Sequence, residues 1–303
     1  MSIKIIEYAL TFQYSNDRLL IMNKEAIKID FLPRLKDPLF IAGFEGWGNA
    51  LDISRGMVDY LIQKLEARLF GKINPDLFYR FDENRPLVEI RNGFLEELQP
   101  PESSFHVAKG SGRDIVILKA VEPSLHWFQY VETILSLCSK LGIRTLVSLG
   151  SMYDNVLHTD KVVSAIASSN DLLASLEKIN VKPINYRGPS AIHSTIHSMA
   201  QKQGFDCVSL WCHCPYYLQG TTHFGLLSHL GGLLSSWGGF SLDTDELEAT
   251  WQELSRQIQG LIEKNPELQG MLEELRKAKG RGTLSGTQKG KKVIRLEDFI
   301  KPK

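Results

Sequence analysis

The chain has 303 residues and a mass of 34.2 kDa, enough for one large or two modest domains and for a core that needs no disulfide or metal staple. With 43% apolar and 23% charged residues, 24 glycines and 12 prolines, its composition excludes collagen-like, wholly disordered and membrane-spanning chains. The 35 basic and 35 acidic residues cancel, which excludes a uniform field of the kind that gathers nucleic acid. Four cysteines and an N-terminus without a long apolar run predict a protein of the reducing cytoplasm, with no membrane partner.

In chain order, short branched apolar runs alternate with segments of helical period. Strands are predicted at Leu39 to Gly43, Asp114 to Lys119, Arg144 to Leu149, Pro183 to Tyr186 and Asp206 to Cys212. Helices are predicted at about Asn49 to Leu69, Ser124 to Leu141, Ser169 to Ile179, Ala191 to Gln203 and Phe224 to Trp237. Ile115-Val116-Ile117-Leu118 is apolar on both faces, so helices should cover both sides of its sheet, giving an α/β fold with three αβα layers over residues 1–240. Asp243-Thr244-Asp245-Glu246 offers a helix start, and Leu247, Trp251, Leu254, Ile258 and Leu261 continue it. Asn265-Pro266 then breaks the pattern, so residues 241–279 read as a helical extension, followed by a basic, flexible tail at 280–303.

Gly43-Phe44-Glu45-Gly46-Trp47-Gly48-Asn49 lies between a predicted strand and helix, where free N–H groups could hold an anion. Its spacing fits neither the dinucleotide fingerprint nor a Walker A loop, and a tight structural turn stands beside a ligand loop as its reading. Cys207, Cys212, His213 and Cys214 lack paired C-x₂-C spacing and read as a buried strand rather than zinc ligands. His193 and His197 fall one turn apart without the glutamate of H-E-x-x-H; a solvated or hydrogen-bonded helix face fits better than a metal site. No serine occupies G-x-S-x-G. No metal and no cofactor are expected. Glu122, His158, Thr159 and Arg187 follow predicted strands and, if the strands are parallel, join Glu45, Trp47 and Asn49 at one sheet edge, either to bind a ligand or to pair with one another.

These segments together resemble the proteasome assembly chaperone 2 (PAC2) family, and in particular its bacterial branch. The likeness is carried by Gly43-Phe44-Glu45-Gly46-Trp47 and Asn74-Pro75-Asp76-Leu77-Phe78-Tyr79-Arg80-Phe81, followed in family order by Glu122-Pro123, Leu149-Gly150-Ser151, His158-Thr159, Tyr186-Arg187-Gly188-Pro189-Ser190 and Val208-Ser209-Leu210-Trp211. The resemblance implies a core similar to purine nucleoside phosphorylases, a helical C-terminal addition, and self-association into trimers or rings. Where the branch carries proline and arginine around His158-Thr159, this chain has Leu157 and Asp160, which weakens the case for an arginine-based anion contact there. It ends Lys301-Pro302-Lys303, which does not support the hydrophobic-Tyr-any docking tail of proteasome-binding members.

Two functions follow as expectations. One is a non-enzymatic, oligomeric, assembly-chaperone-like protein of unknown client. The other is an enzyme or small-molecule binder using the strand-end cleft, for a nucleoside or carboxylate ligand; family members have been labelled ATP-grasp or carboxylate-amine ligases, yet no lysine-bearing glycine loop is present. The neutral total also hides an asymmetry. Arg276 to Lys303 holds ten basic and two acidic residues, and removing these from 35 and 35 leaves 25 basic and 33 acidic in the body. The net +8 tail is expected to fold back on the net −8 body or to bridge to a neighbouring subunit.

Overall fold

The computed structural model describes residues 26–110 and 112–280. The main sheet is built from β1 (Ile27–Ile29), β2 (Leu39–Glu45), β3 (Arg68–Ile73), β6 (Ser103–Ala108), β7 (Ile115–Val121), β8 (Thr145–Asp154), β9 (Val163–Ala167), β10 (Lys182–Pro183) and β11 (Asp206–Pro215). Their order is β1-β3-β6-β7-β2-β8-β11-β9-β10. The four central strands β7, β2, β8 and β11 run parallel, and antiparallel strands extend the sheet on both sides.

The central strands bury both faces, as their branched sequences require. On one face Leu39, Ile41, Ile117, Val147 and Val208 pack under helices α1 (Ile53–Lys64), α3 (Asn170–Glu177) and α5 (Phe224–Gly238). On the other face Phe40, Phe44, Leu118, Leu146 and Cys207 pack under α2 (Trp127–Lys140) and α4 (Ile192–Lys202). The result is a mixed sheet flanked by helices. Two C-terminal helices, α6 (Asp245–Lys264) and α7 (Pro266–Gly280), bury Leu247, Trp251, Ile258, Ile262, Leu268 and Leu272 in the first of these clusters. They therefore share the core of the sheet.

α1 begins four residues later than the apolar period suggests because Leu51 and Asp52 adopt left-handed backbone conformations, φ 52° and 56°. Its first turn sits directly on β2: a Cβ at Gly43 would lie 2.4 Å from the Ser54 carbonyl oxygen, so only glycine permits this approach. The Ser54 hydroxyl accepts from Phe44 N at 2.9 Å and donates to Leu149 O at 2.5 Å, linking helix, β2 and β8. The predicted helix to Leu69 ends at Lys64, since Arg68–Ile73 pairs with β6 as a strand. The strand predicted over Pro183 to Tyr186 is a two-residue edge, Lys182–Pro183.

A separate hairpin, β4 (Leu87–Arg91) and β5 (Phe94–Gln99), pairs only within itself among the described residues, and every residue of both strands is exposed. Cross-strand partners Val88·Leu98 and Ile90·Leu95 share one face, which is wholly apolar. No described helix is long and apolar enough to cross a membrane. The basic segment from Arg281, with the expectation that it folds back, lies outside the described residues.

Candidate functional site

The parallel strands β2, β7 and β8 deliver their C-terminal ends, and Glu45, Glu122 and His158 at or after them, to one edge. β10, which precedes Arg187, runs with β9 against the central strands and points the other way, contrary to the expectation of a parallel strand there. Glu122 is the hub of the first cluster. Its Oε2 accepts from Trp47 N at 3.1 Å and its Oε1 from Ile192 N at 2.8 Å, while Glu122 N donates to Glu45 O at 2.7 Å. The carboxylate thus occupies the N-terminus of α4, where the helix dipole favours negative charge, and ties it to the glycine loop. Gly46, at φ +148°, leaves room for it, since a Cβ there would meet the Glu122 Cβ at 2.7 Å.

Glu45 pairs with Arg55 at 3.2 Å, and Arg55 also holds Asp59 at 3.1 Å. Asn49 closes the turn internally, its amide donating to Asp52 Oδ1 at 2.8 Å and its carbonyl accepting from Arg55 N at 3.1 Å. His158 belongs to a different cluster. Its N–H donates to the Tyr217 hydroxyl at 2.6 Å, and its Nδ1 lies 2.8 Å from the same oxygen. The His223 Nε2 donates to His158 O at 3.0 Å, and its ring stacks on Trp251 of α6 at 4.1 Å. Burial pushes His223 down to about 4, and burial followed by the nearby Arg276 charge lowers His158, so the surroundings of both imidazoles favour the neutral form.

Of the seven candidate residues, then, Glu45, Trp47, Asn49 and Glu122 meet around one loop. His158 joins Tyr217, His223 and Trp251 instead. The side chains of Trp47, Thr159 and Arg187 are exposed and make no hydrogen bond or ion pair among the described residues. His193 and His197 turn inward rather than to solvent. His193 Nε2 donates to Leu149 O at 2.6 Å, its ring packs on Phe44 and Trp211, and burial pushes it down to about 4. All four cysteines are buried free thiols; burial pushes Cys207 and Cys212 up to about 12, far from thiolate. Among the described residues no group of three or more His, Cys, Asp or Glu side chains could hold a metal.

One polar constellation at this edge escapes sequence reasoning. The Ser164 Oγ of β9 lies 2.8 Å from His213 Nε2 of β11, and His213 Nδ1 lies 2.7 Å from Asp154 Oδ2 at the end of β8. The hydrogen bond from His213 holds the Asp154 carboxyl below the usual carboxylate range, against the opposing effect of burial. In the sequence His213 stands out only within the Cys207 to Cys214 run, and Ser164 and Asp154 carry no signal, because β8 and β11 extend further than their apolar content indicates.

Comparison with known families matches the model of the PAC2 family over residues 40–262. The chain belongs to the PAC2 family. Solved structures agree. A Mycobacterium tuberculosis protein of unknown function superposes with TM-score 0.77 at 20% identity, covering 86% of this chain and 90% of that one. A Streptomyces avermitilis PAC2 family protein matches at TM-score 0.67 and 26% identity, with 78% and 99% coverage. A Mycobacterium tuberculosis proteasome-assembly chaperone homologue matches at 0.68 and 26%, with 77% and 99% coverage. No curated protein sequence matches the chain. The motifs at the edge described above fall inside the span matched to the PAC2 family, apart from the first residue of the glycine-loop strand, Leu39.

Proposed function

We propose that this PAC2 protein works by binding protein chains, in an assembly-chaperone-like role, and that it is a cytoplasmic homo-oligomer, with a trimer favoured by the family resemblance. The observation that carries this reading is the free hairpin β4–β5. Its Val88, Ile90, Leu95 and Leu98 face is exposed throughout, and an isolated two-stranded hairpin with an uncovered apolar face is marginal in water. Burial against another chain supplies what the hairpin lacks. Trp47, 61% exposed, and Phe128, 74% exposed, add aromatic anchors of the type that dominate protein interfaces. The description of the Mycobacterium homologue as a proteasome-assembly chaperone relative points the same way.

The pairing of Glu45, Asn49 and Glu122 within the protein favours this reading over a nucleoside or carboxylate ligand at the same edge, because these groups already have partners. Trp47, Thr159 and Arg187 remain for an outside partner. The layered core over 1–240, similar to purine nucleoside phosphorylases, and the helical extension over 241–279 form the scaffold in this proposal.

The test is Ile90→Glu with Leu95→Lys, which touches no core residue. Sedimentation should show the wild type as an oligomer at micromolar concentration and the variant as a folded protein of lower mass. A wild type that sediments as a monomer, or a variant of unchanged mass, overturns self-association through the hairpin. A thermal-shift series with nucleosides and carboxylates distinguishes the alternative, since a ligand at about 100 times its Kd adds about 2.7 kcal/mol of stability.

A further inference from the structure

The geometry points to Ser164 as a nucleophile toward carboxylic esters, with His213 as its general base and Asp154 as the group that positions the imidazole, an activity that goes beyond protein binding. The decisive feature is a continuous hydrogen-bonded chain, 2.8 Å from Ser164 Oγ to His213 Nε2 and 2.7 Å from His213 Nδ1 to Asp154 Oδ2. An ionised carboxylate only accepts, so Nδ1 carries a proton, and in the neutral imidazole Nε2 then presents its lone pair to the serine hydroxyl. That tautomer is the one a base next to serine needs.

Three strands hold the constellation. In the sheet Ser164 stands opposite Trp211 and Asp154 beside Pro215, and His213 N donates to Val162 O at 3.0 Å. Asp154 Oδ1 is committed to Asn155 N at 2.7 Å, which leaves Oδ2 for the histidine. Site geometry fixed by strands is more exact than geometry carried on loops. Ser164 itself is buried, at 6% exposure, and the constellation meets solvent through the His213 and Asp154 side chains, which keep 13% and 32%.

The neighbours suggest the substrate. Trp211, directly across from Ser164, places a buried indole on the same face of the sheet, and Lys182, the register partner of Ser164 on β10, gives an exposed cation on the other side. A short-chain ester with an anionic substituent fits this pair. Chain order is Asp, Ser, His, and Ser164 lies within Val163-Ser164-Ala165 on a strand, so a search for the G-x-S-x-G elbow passes over it. In the reaction the Ser164 oxygen bonds to the ester carbonyl carbon as its proton passes to His213 Nε2. The carbon–oxygen bond to the alcohol then breaks, and the alcohol leaves with the proton from His213. Water, deprotonated by the same nitrogen, releases the acid and restores the serine.

The experiment treats the full-length protein with a fluorophosphonate probe and with 4-nitrophenyl acetate, and maps the adduct by peptide mass. A single phosphonyl adduct on Ser164 is expected, with nitrophenol release lost in Ser164→Ala and lowered about 100-fold in His213→Gln. Asp154→Asn, which permits the wrong tautomer, should lose labelling, while Asp154→Glu should retain part of it. Absence of an adduct on Ser164 in the wild type, or labelling that is equal in Asp154→Asn and Asp154→Glu, overturns the proposal. The wild-type mapping stands whether or not a variant folds.

Discussion

At the scale of single residues, Glu122 shows how the protein uses a charge where a ligand would otherwise sit. A helix N-terminus exposes N–H groups with no internal partner, and here the Ile192 N–H finds a carboxylate from a neighbouring loop rather than from its own cap. The same carboxylate accepts from Trp47 N, so it satisfies two donors on separate segments. Glu122→Gln keeps the shape but replaces one acceptor oxygen by an NH₂ group that faces a donor. A loss of about 1–3 kcal/mol in urea unfolding is expected, as for a backbone donor stripped of a charged partner. Glu122→Asp, too short to reach both donors, should fall between the two. A change below about 0.3 kcal/mol in Glu122→Gln would show that the loop and helix hold each other without it.

At the scale of elements, α6 and α7 are bound to the sheet through Trp251. Its ring stacks on His223, and a Cβ at Gly225 of α5 would come within 2.7 Å of it. Tyr60 Oη donates to Asp243 O at 2.8 Å, and Lys64 pairs with Glu246 at 2.8 Å, which fastens the start of α6 to α1. Trp251→Ala should cost about 3–5 kcal/mol, the range for deleting a buried large aromatic, with Trp251→Phe much milder. Equal stability of Trp251→Ala and wild type in chemical denaturation would mean that the helices are only loosely attached. The period of Leu247, Trp251, Ile258 and Ile262 made these helices legible, as the runs Leu39 to Gly43 and Ile115 to Leu118 made β2 and β7. The hairpin was not legible, because Glu89, Glu96 and Glu97 interrupt its apolar residues and its turn lies between exposed strands. β6 was missed for a related reason: Ser103, Ser104 and His106 are polar yet buried or partly so, the two hydroxyls and the His106 Nε2 partnered by Tyr79, Tyr130 and each other. The same effect hid the serine constellation. β8 runs on through Ser151 to Asp154 and β11 through His213 to Pro215, lengths set by ten-residue pairing between the two strands rather than by apolar content. Local sequence shows which segments are buried on both faces, and tertiary pairing decides how far they extend.

At the scale of the whole molecule, neutral histidines set how stability responds to acid. His193 and His223 are held at about 4 by burial, against about 6.5 for an exposed imidazole. Burial also lowers His106, His158, His197 and His229. Between about pH 6.5 and 4 the unfolded chain takes up protons that the native chain refuses, so stability rises with pH across this window and is fully present above it. Falling pH therefore removes stability first through the histidines. The carboxylates lowered in the native state, Asp114 and Asp154 among them, lose their contribution only as pH falls through their own depressed values. At pH 5 each of His193 and His223 should cost about 2 kcal/mol relative to pH 7.5. Because both clusters of the core meet at the sheet, the loss should appear as one cooperative transition whose urea midpoint moves down with pH, rather than as early release of α6 and α7 alone. Near-ultraviolet circular dichroism and tryptophan fluorescence, whose signals from five tryptophans include Trp251 and Trp211 on opposite faces of the sheet, should give coincident curves. Midpoints that agree at pH 5 and 7.5 would refute the histidine account, while probe-dependent curves would separate the helical pair from the sheet as an independent unit.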